Sequence, residues 1–171
     1  MKKPVVIVDS IVKRKVLNKY LGENYQVLSI LGPISQLPKQ GVAVDIEQDF
    51  TVTETMSYVQ KDMVRRLAEA AAQSSRIYIA TDPDVQGETV AQDLADKMTI
   101  ANGNIKRLRL REITESALLQ AIKKPLRINS DFIQAHLTRR AFDHFIDSKI
   151  GPIISLALGK RSRLTFVSGL V

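Results

Sequence analysis

A doubly wound α/β fold, with a mostly parallel sheet of about four strands flanked by helices and a small helical segment after it, is the architecture this sequence predicts. Three observations predict it. Two short β-branched runs, Pro4-Val5-Val6-Ile7-Val8 and Arg76-Ile77-Tyr78-Ile79-Ala80, each end in a polar, acid-bearing turn. Segments of helical periodicity alternate with such runs. After Lys123-Lys124-Pro125 the pattern becomes all-helical.

Taken in order, Val5 to Val8 read as a strand buried on both faces, because a continuous apolar run has no polar face to turn to water. Asp9 and Ser10 follow at its carboxyl end, and Ser10 suits the N-cap of a helix carrying Val12, Val16, Leu17 and Tyr20, stopped by Gly22. Residues 25–31 predict a second strand, closed by Gly32-Pro33 and a loop around Leu37-Pro38-Lys39-Gln40-Gly41. Residues 54–73 predict a helix leading into the strand at 76–80, and residues 88–98 return to helical spacing after the turn 81–87. Ile105 to Leu108 predict a fourth strand, and 114–122 a helix with Glu115 in its first turn. Beyond 125, Ser130 or Asp131 can cap a helix reaching about residue 149, and Gly151-Pro152 breaks it before a second near 153–158. The division expected is therefore 1–125 and 126–171. The apolar ending Phe166-Val167-Ser168-Gly169-Leu170-Val171 predicts that more polypeptide follows.

Composition excludes several classes. With no cysteine there is no disulfide framework, thiolate zinc site or cysteine nucleophile. No stretch approaches the roughly 20 apolar residues of a membrane span, and the start is too short for a signal peptide, so a soluble cytoplasmic chain is expected. The net charge of +7 is uneven: residues 1–104 carry 12 basic and 13 acidic side chains, and residues 105–171 carry 13 and 5. Such a basic C-terminal part suits a polyanion, since phosphate neutralisation by Lys and Arg drives nucleic-acid affinity. Arg107, Arg109 and Arg111 alternate and are expected on one face of an extended stretch. His136 and His144 fit no zinc pattern.

Ligands of open α/β sheets bind at the carboxyl ends of strands, and two such ends here carry acids: Asp9, and the pair Asp82 and Asp84. Two carboxylates one residue apart can share a hard cation with its waters, which suits Mg²⁺. The alternative structural reading has Asp82 capping the next helix and Asp84 as a solvated turn residue.

These elements resemble the Toprim domain of type IA DNA topoisomerases. The resemblance rests on Val6-Ile7-Val8-Asp9-Ser10-Ile11-Val12-Lys13, Gly32-Pro33-Ile34-Ser35-Gln36-Leu37-Pro38, Asp45-Ile46-Glu47-Gln48-Asp49-Phe50 and, most strongly, Ala80-Thr81-Asp82-Pro83-Asp84-Val85-Gln86-Gly87-Glu88. Arg111-Glu112-Ile113-Thr114 and the stretch 135–152 continue it. It implies Mg²⁺ held by Asp82, Asp84 and Asp9, with Asp9 standing at an acid/base position and Lys13 steadying a scissile phosphate. It further implies single-stranded DNA contacts from Arg111, Arg139, Arg140 and Asp143, the remaining domains of a parent topoisomerase as partners, and a nucleoid-associated location. The family's reaction is tyrosine attack on a DNA phosphodiester, strand passage and religation.

The match is damaged at Asp9, where the family carries glutamate, and at three motif positions: Pro33 for histidine, Val85 for arginine and Gln86 for a third acid. An amide keeps an oxygen for a metal but loses a negative charge. The tyrosines Tyr20, Tyr25, Tyr58 and Tyr78 all fall in or beside expected core elements, so the isolated chain is expected to lack the nucleophile. Two competing readings are a catalytically inert Toprim-like module that binds DNA or protein, and a phosphoryl-accepting receiver-like domain; the latter leaves the basic tail unexplained.

Overall fold

The computed structural model describes residues 2–32, 34–36, 44–45, 51–98, 105–128, 138–139, 142–143, 146 and 150–157. They fall into two compact units, one of Met1–Gln36 with Met56–Ile133, the other of Leu37–Thr55 with Gln134–Val171. In chain order the elements are β1 (Val5–Val8), α1 (Ile11–Leu21), β2 (Gln26–Ser29), β3 (Val44–Asp45), β4 (Thr51–Val52), α2 (Tyr58–Ala72), β5 (Ile77–Ala80), α3 (Val85–Lys97), β6 (Ile105–Arg107), α4 (Glu115–Lys123) and α5 (Gly151–Ala157).

The first unit is built on a four-stranded, all-parallel sheet in the order β2-β1-β5-β6. Strand β1 is central, with Val6 opposite both Val27 and Tyr78. Its alternate side chains feed two cores. Val5 and Ile7, with Ile77 and Ile79 of β5, meet Val64 and Leu67 of α2 and Ala91 and Leu94 of α3. Val6 and Val8, with Tyr78 and Ala80, meet Leu17 and Leu21 of α1 and Leu118 of α4. Helices therefore cover both faces, which is why the two central strands are apolar without alternation.

Helix boundaries follow from capping groups. Ser10 Oγ accepts from the Val12 amide, and Gly22, at φ 58°, ends α1 in the left-handed region. Ser57 and Gln60 form a reciprocal capping box on α2, Asp84 caps α3 and Thr114 caps α4. After α4 the chain returns to the edge of β6, where Arg107 and Leu126 exchange backbone hydrogen bonds of 2.9 Å in each direction, shielding that edge.

In the second unit, Val44–Asp45 and Thr51–Val52 pair antiparallel, where the sequence offered no element. Two-residue strands leave no alternation to read. Gly151 and Pro152 open α5 rather than standing before it, as proline at the first helical positions has a preset φ and no amide to satisfy. The expected helix from about 130 to 149 lies largely outside the described residues.

Leu94 is fully buried between α3 and the sheet. Leu94→Ala is expected to lower the unfolding free energy by about 2–5 kcal/mol in urea titrations, whereas Val12→Ala, at a position 69% exposed, stays within about 0.5 kcal/mol.

Candidate functional site

The sheet reverses its direction of growth at β1, which has β2 on one side and β5 on the other. In open α/β sheets that switch point opens a crevice at the strands' carboxyl ends. Here Asp9 follows β1 and Asp82 follows β5. Both line a cavity of about 430 Å³, together with Ser10 and Lys13 of the α1 start and Asp84 and Gln86 of the α3 start.

Asp9 and Asp82 are joined in two ways. The Asp82 amide donates to Asp9 Oδ2 at 2.7 Å. Lys13 Nζ donates to Asp9 Oδ1 at 2.7 Å and to Asp82 Oδ1 at 2.5 Å. Helical side chains lean toward the helix N-terminus, which is how Lys13 reaches back one turn to Asp9. Burial alone would drive its pKa down, but the hydrogen bonds and charges of Asp82 and Asp9 outweigh this and hold the ammonium above its ordinary value.

Asp84 takes a different part. Its Oδ1 accepts from the Gly87 amide at 2.6 Å as the N-cap of α3. The helix cap therefore falls on Asp84 and not on Asp82, which is engaged with Lys13. Gly87 is required by close approach: a Cβ there would lie 2.0 Å from the Asp82 carbonyl oxygen. Gln86 is exposed at the cavity, and Val85 is the first residue of α3.

Beneath the turn lies a feature the sequence reading did not assign. Arg107 and Glu88 have side chains 0% and 1% exposed, with Arg107 Nε donating to Glu88 Oε1 at 2.9 Å. The other guanidinium N–H groups donate to the carbonyls of Ile79, Leu108, Thr81 and Asp82. All five donors are used. Burial pulls the Arg107 pKa below its usual value, against the charge of Glu88. This corrects the expectation of an arginine stripe at 107, 109 and 111. The strand stops at Arg107, which points inward; Arg109 lies 3.3 Å from the same Glu88 oxygen; Arg111 is exposed past the strand. Ile105 and Arg107 share a face, and Ile105 packs in the α3-side core. That register was the available signal that Arg107 needs a buried acid.

In the second unit, Arg139 Nε lies 3.8 Å from Asp143 Oδ2, one helical turn away. Pro33 and Arg140 lie outside the described residues.

Residues 4–113 match the Toprim domain. The chain belongs to the Toprim domain family. Over 155 residues it is 32% identical to DNA topoisomerase 1 of Campylobacter jejuni, covering 90% of this chain and 22% of that protein. Over 159 residues it is 35% identical to DNA topoisomerase 1 of Xylella fastidiosa, covering 90% and 19%. Among solved structures it is similar to full-length topoisomerase I from Thermotoga maritima, with a TM-score of 0.80 and 30% identity, covering 88% of this chain and 26% of that one. The chain spans about a fifth of the length of the relatives it matches. The parallel sheet with helices on both faces is the Toprim architecture the sequence predicted.

The donor set of this Toprim site suits a hard cation: every candidate ligand is an oxygen, and Asp82 Oδ2, Asp84 Oδ2 and the Gln86 amide have no protein partner among the described residues. Those residues hold no preassembled group of three acids or imidazoles for a metal. The positive charge now between Asp9 and Asp82 is the lysine.

Three variants test the platform under the turn. Glu88→Ala leaves Arg107 charged and unpaired in the core and is expected to cost about 3–5 kcal/mol of stability by chemical denaturation, while the apolar double variant Glu88→Leu/Arg107→Met recovers most of that loss. Gly87→Ala is expected to push the Asp82 peptide aside, read as shifted amide resonances of Asp82 and Asp9 in a chain that still unfolds cooperatively.

Proposed function

We propose that this chain is the cation- and phosphate-handling part of a DNA topoisomerase, with residues 1–125 carrying the site and residues 126–171 a basic segment that contacts single-stranded DNA. One observation carries the reading: an ammonium and carboxylates converge where the N-termini of α1 and α3 open on a common cavity. Helix N-termini present unpaired amides and positive dipole ends, which favour a phosphate. Lys13 adds a mobile point charge for the same anion. Asp82 and Asp84, with Gln86 and Asp9 beside them, would hold Mg²⁺, which when bound supplies positive charge to offset that of a phosphodiester. Asp9, whose second oxygen is fixed by the Asp82 amide, is positioned to hold or pass a proton at a leaving sugar oxygen. Arg111, Arg139 and Arg140 would take phosphates and Asp143 a base edge.

The relatives named as DNA topoisomerase 1 support this reading, as does the charge asymmetry of the chain. None of the described helices is long and apolar enough to cross a membrane. A cytoplasmic, nucleoid-associated location follows from the proposed substrate. The remaining domains of a parent topoisomerase would be its partners. A second reading, a Toprim module that binds DNA or protein without catalysis, is favoured by Gln86, whose amide cannot act as a third acid.

Isothermal titration with Mg²⁺ should show saturable binding that Asp82→Ala/Asp84→Ala abolishes; no heat in the unsubstituted chain overturns the cation site. Affinity for a single-stranded oligonucleotide should fall with salt, and Arg139→Gln/Arg140→Gln should flatten the log–log slope by about one to two units. None of the four tyrosines lines the cavity. Tyr78 is buried within β5, whereas Tyr58, the first residue of α2, is 84% exposed. The isolated chain is therefore expected to form no covalent DNA adduct on denaturing gels, and an adduct would place a nucleophile within these residues.

A further inference from the structure

Lys13 is more than a candidate phosphate contact, because its ammonium already occupies the carboxylates proposed to hold a cation. It is bound by Asp9 Oδ1 and Asp82 Oδ1 at once, with its side chain 17% exposed. A single charge at these two distances neutralises half of the pair's formal charge. A divalent ion placed on Asp82 would share that carboxylate with the ammonium on its other oxygen. Two cations on one carboxylate repel strongly in a partly desolvated cleft, where charges a few ångströms apart interact several-fold more strongly than in water.

We infer that Lys13 is an internal counter-ion that a divalent cation must displace, so that cation binding releases the ammonium from Asp9 and Asp82 toward a phosphate in the same cavity. This rests on the cation site proposed above and says how that site is regulated. The stem of Lys13 has four rotatable carbons and its base lies at the N-terminal turn of α1, so release needs no movement of the backbone. Asp9 stays oriented after release, because its second oxygen is held by the Asp82 amide. Asp82 likewise stays in place, because Arg107 holds its carbonyl. Exchange also couples the two ligands. A phosphate that pairs with the freed ammonium favours the cation-bound state, and by linkage the cation raises affinity for the phosphate by the same factor.

The test uses the full chain with Mg²⁺ alone as the probe. Lys13→Met keeps the stem and removes the charge. It should bind Mg²⁺ at least about ten-fold more tightly than the unsubstituted chain in the same buffer and salt. Equal or weaker affinity overturns the exchange while leaving the cation site standing. Absence of binding in both proteins overturns the cation site and the exchange together. A second measurement needs no substitution: the Lys13 ammonium ¹⁵N resonance of the unsubstituted chain should shift during Mg²⁺ titration with the same midpoint as the calorimetric binding. A resonance unmoved at saturation overturns the proposal. Adding a short single-stranded oligonucleotide should tighten Mg²⁺ binding in the unsubstituted chain and leave Lys13→Met unchanged. Equal tightening in both proteins overturns the coupling through Lys13.

Discussion

The buried pairing of Arg107 with Glu88 is the constraint on which the site depends. A guanidinium removed from water is strongly unfavourable unless its charge is balanced and every N–H is bonded. Here Glu88 balances it, and four backbone carbonyls take the remaining donors. Those carbonyls belong to β5, to the residue after β6 and to the start of the acidic turn. The arginine thus ties the last residues of two neighbouring strands and the first turn of α3 into one piece. The Asp82 peptide is fixed from both sides, by Arg107 at its carbonyl and by Asp9 at its amide. With no Cβ at Gly87 the helix start can press against the same carbonyl. A carboxylate on such a peptide is aimed by the backbone, which loses less entropy on ligand binding than a free side chain on a loop.

Topology explains why the charged groups meet where they do. Parallel strands end on one side of the sheet, and the growth reversal at β1 leaves that side open between the ends of β1 and β5. The same reversal brings the starts of α1 and α3 to that opening. A lysine at a helix N-terminus opposes the helix dipole. It is held there only because Asp9 and Asp82 supply more favourable charge, so the lysine and the carboxylates stabilise one another.

Much of this was legible in the chain. The apolar runs at 5–8 and 77–80, the cap Ser10, and the placement of Asp9 and Asp82 at strand ends are local patterns, fixed by continuous apolarity, capping chemistry and strand direction. What was illegible depends on long-range register. Whether Arg107 faces water or core turns on a one-residue register, and its partner lies 19 residues away on a helix. The role of Asp84 was hidden for a similar reason. Either aspartate of the turn could cap α3 on local grounds; Asp84 does so, while Asp82 is bonded to Lys13, 69 residues away. The two-residue pair of β3 and β4 carries too little sequence to show any period.

Gln86, an uncharged side chain, lines a cavity of strongly unbalanced charge. Asp9, Asp82 and Asp84 bring three formal negative charges and Lys13 one positive, a balance of −2. An acid at position 86 would make it −3. Each added negative charge strengthens attraction for a divalent cation but raises the electrostatic barrier to a phosphodiester entering the same space. With glutamine, one divalent ion together with Lys13 brings the cavity to neutrality. An acid at 86 would leave the cation-loaded cavity negative. In the proposed site the amide would therefore lower affinity for the cation and the repulsion of a phosphate by the same physical cause. It would tilt the proposed site from metal retention toward phosphate contact.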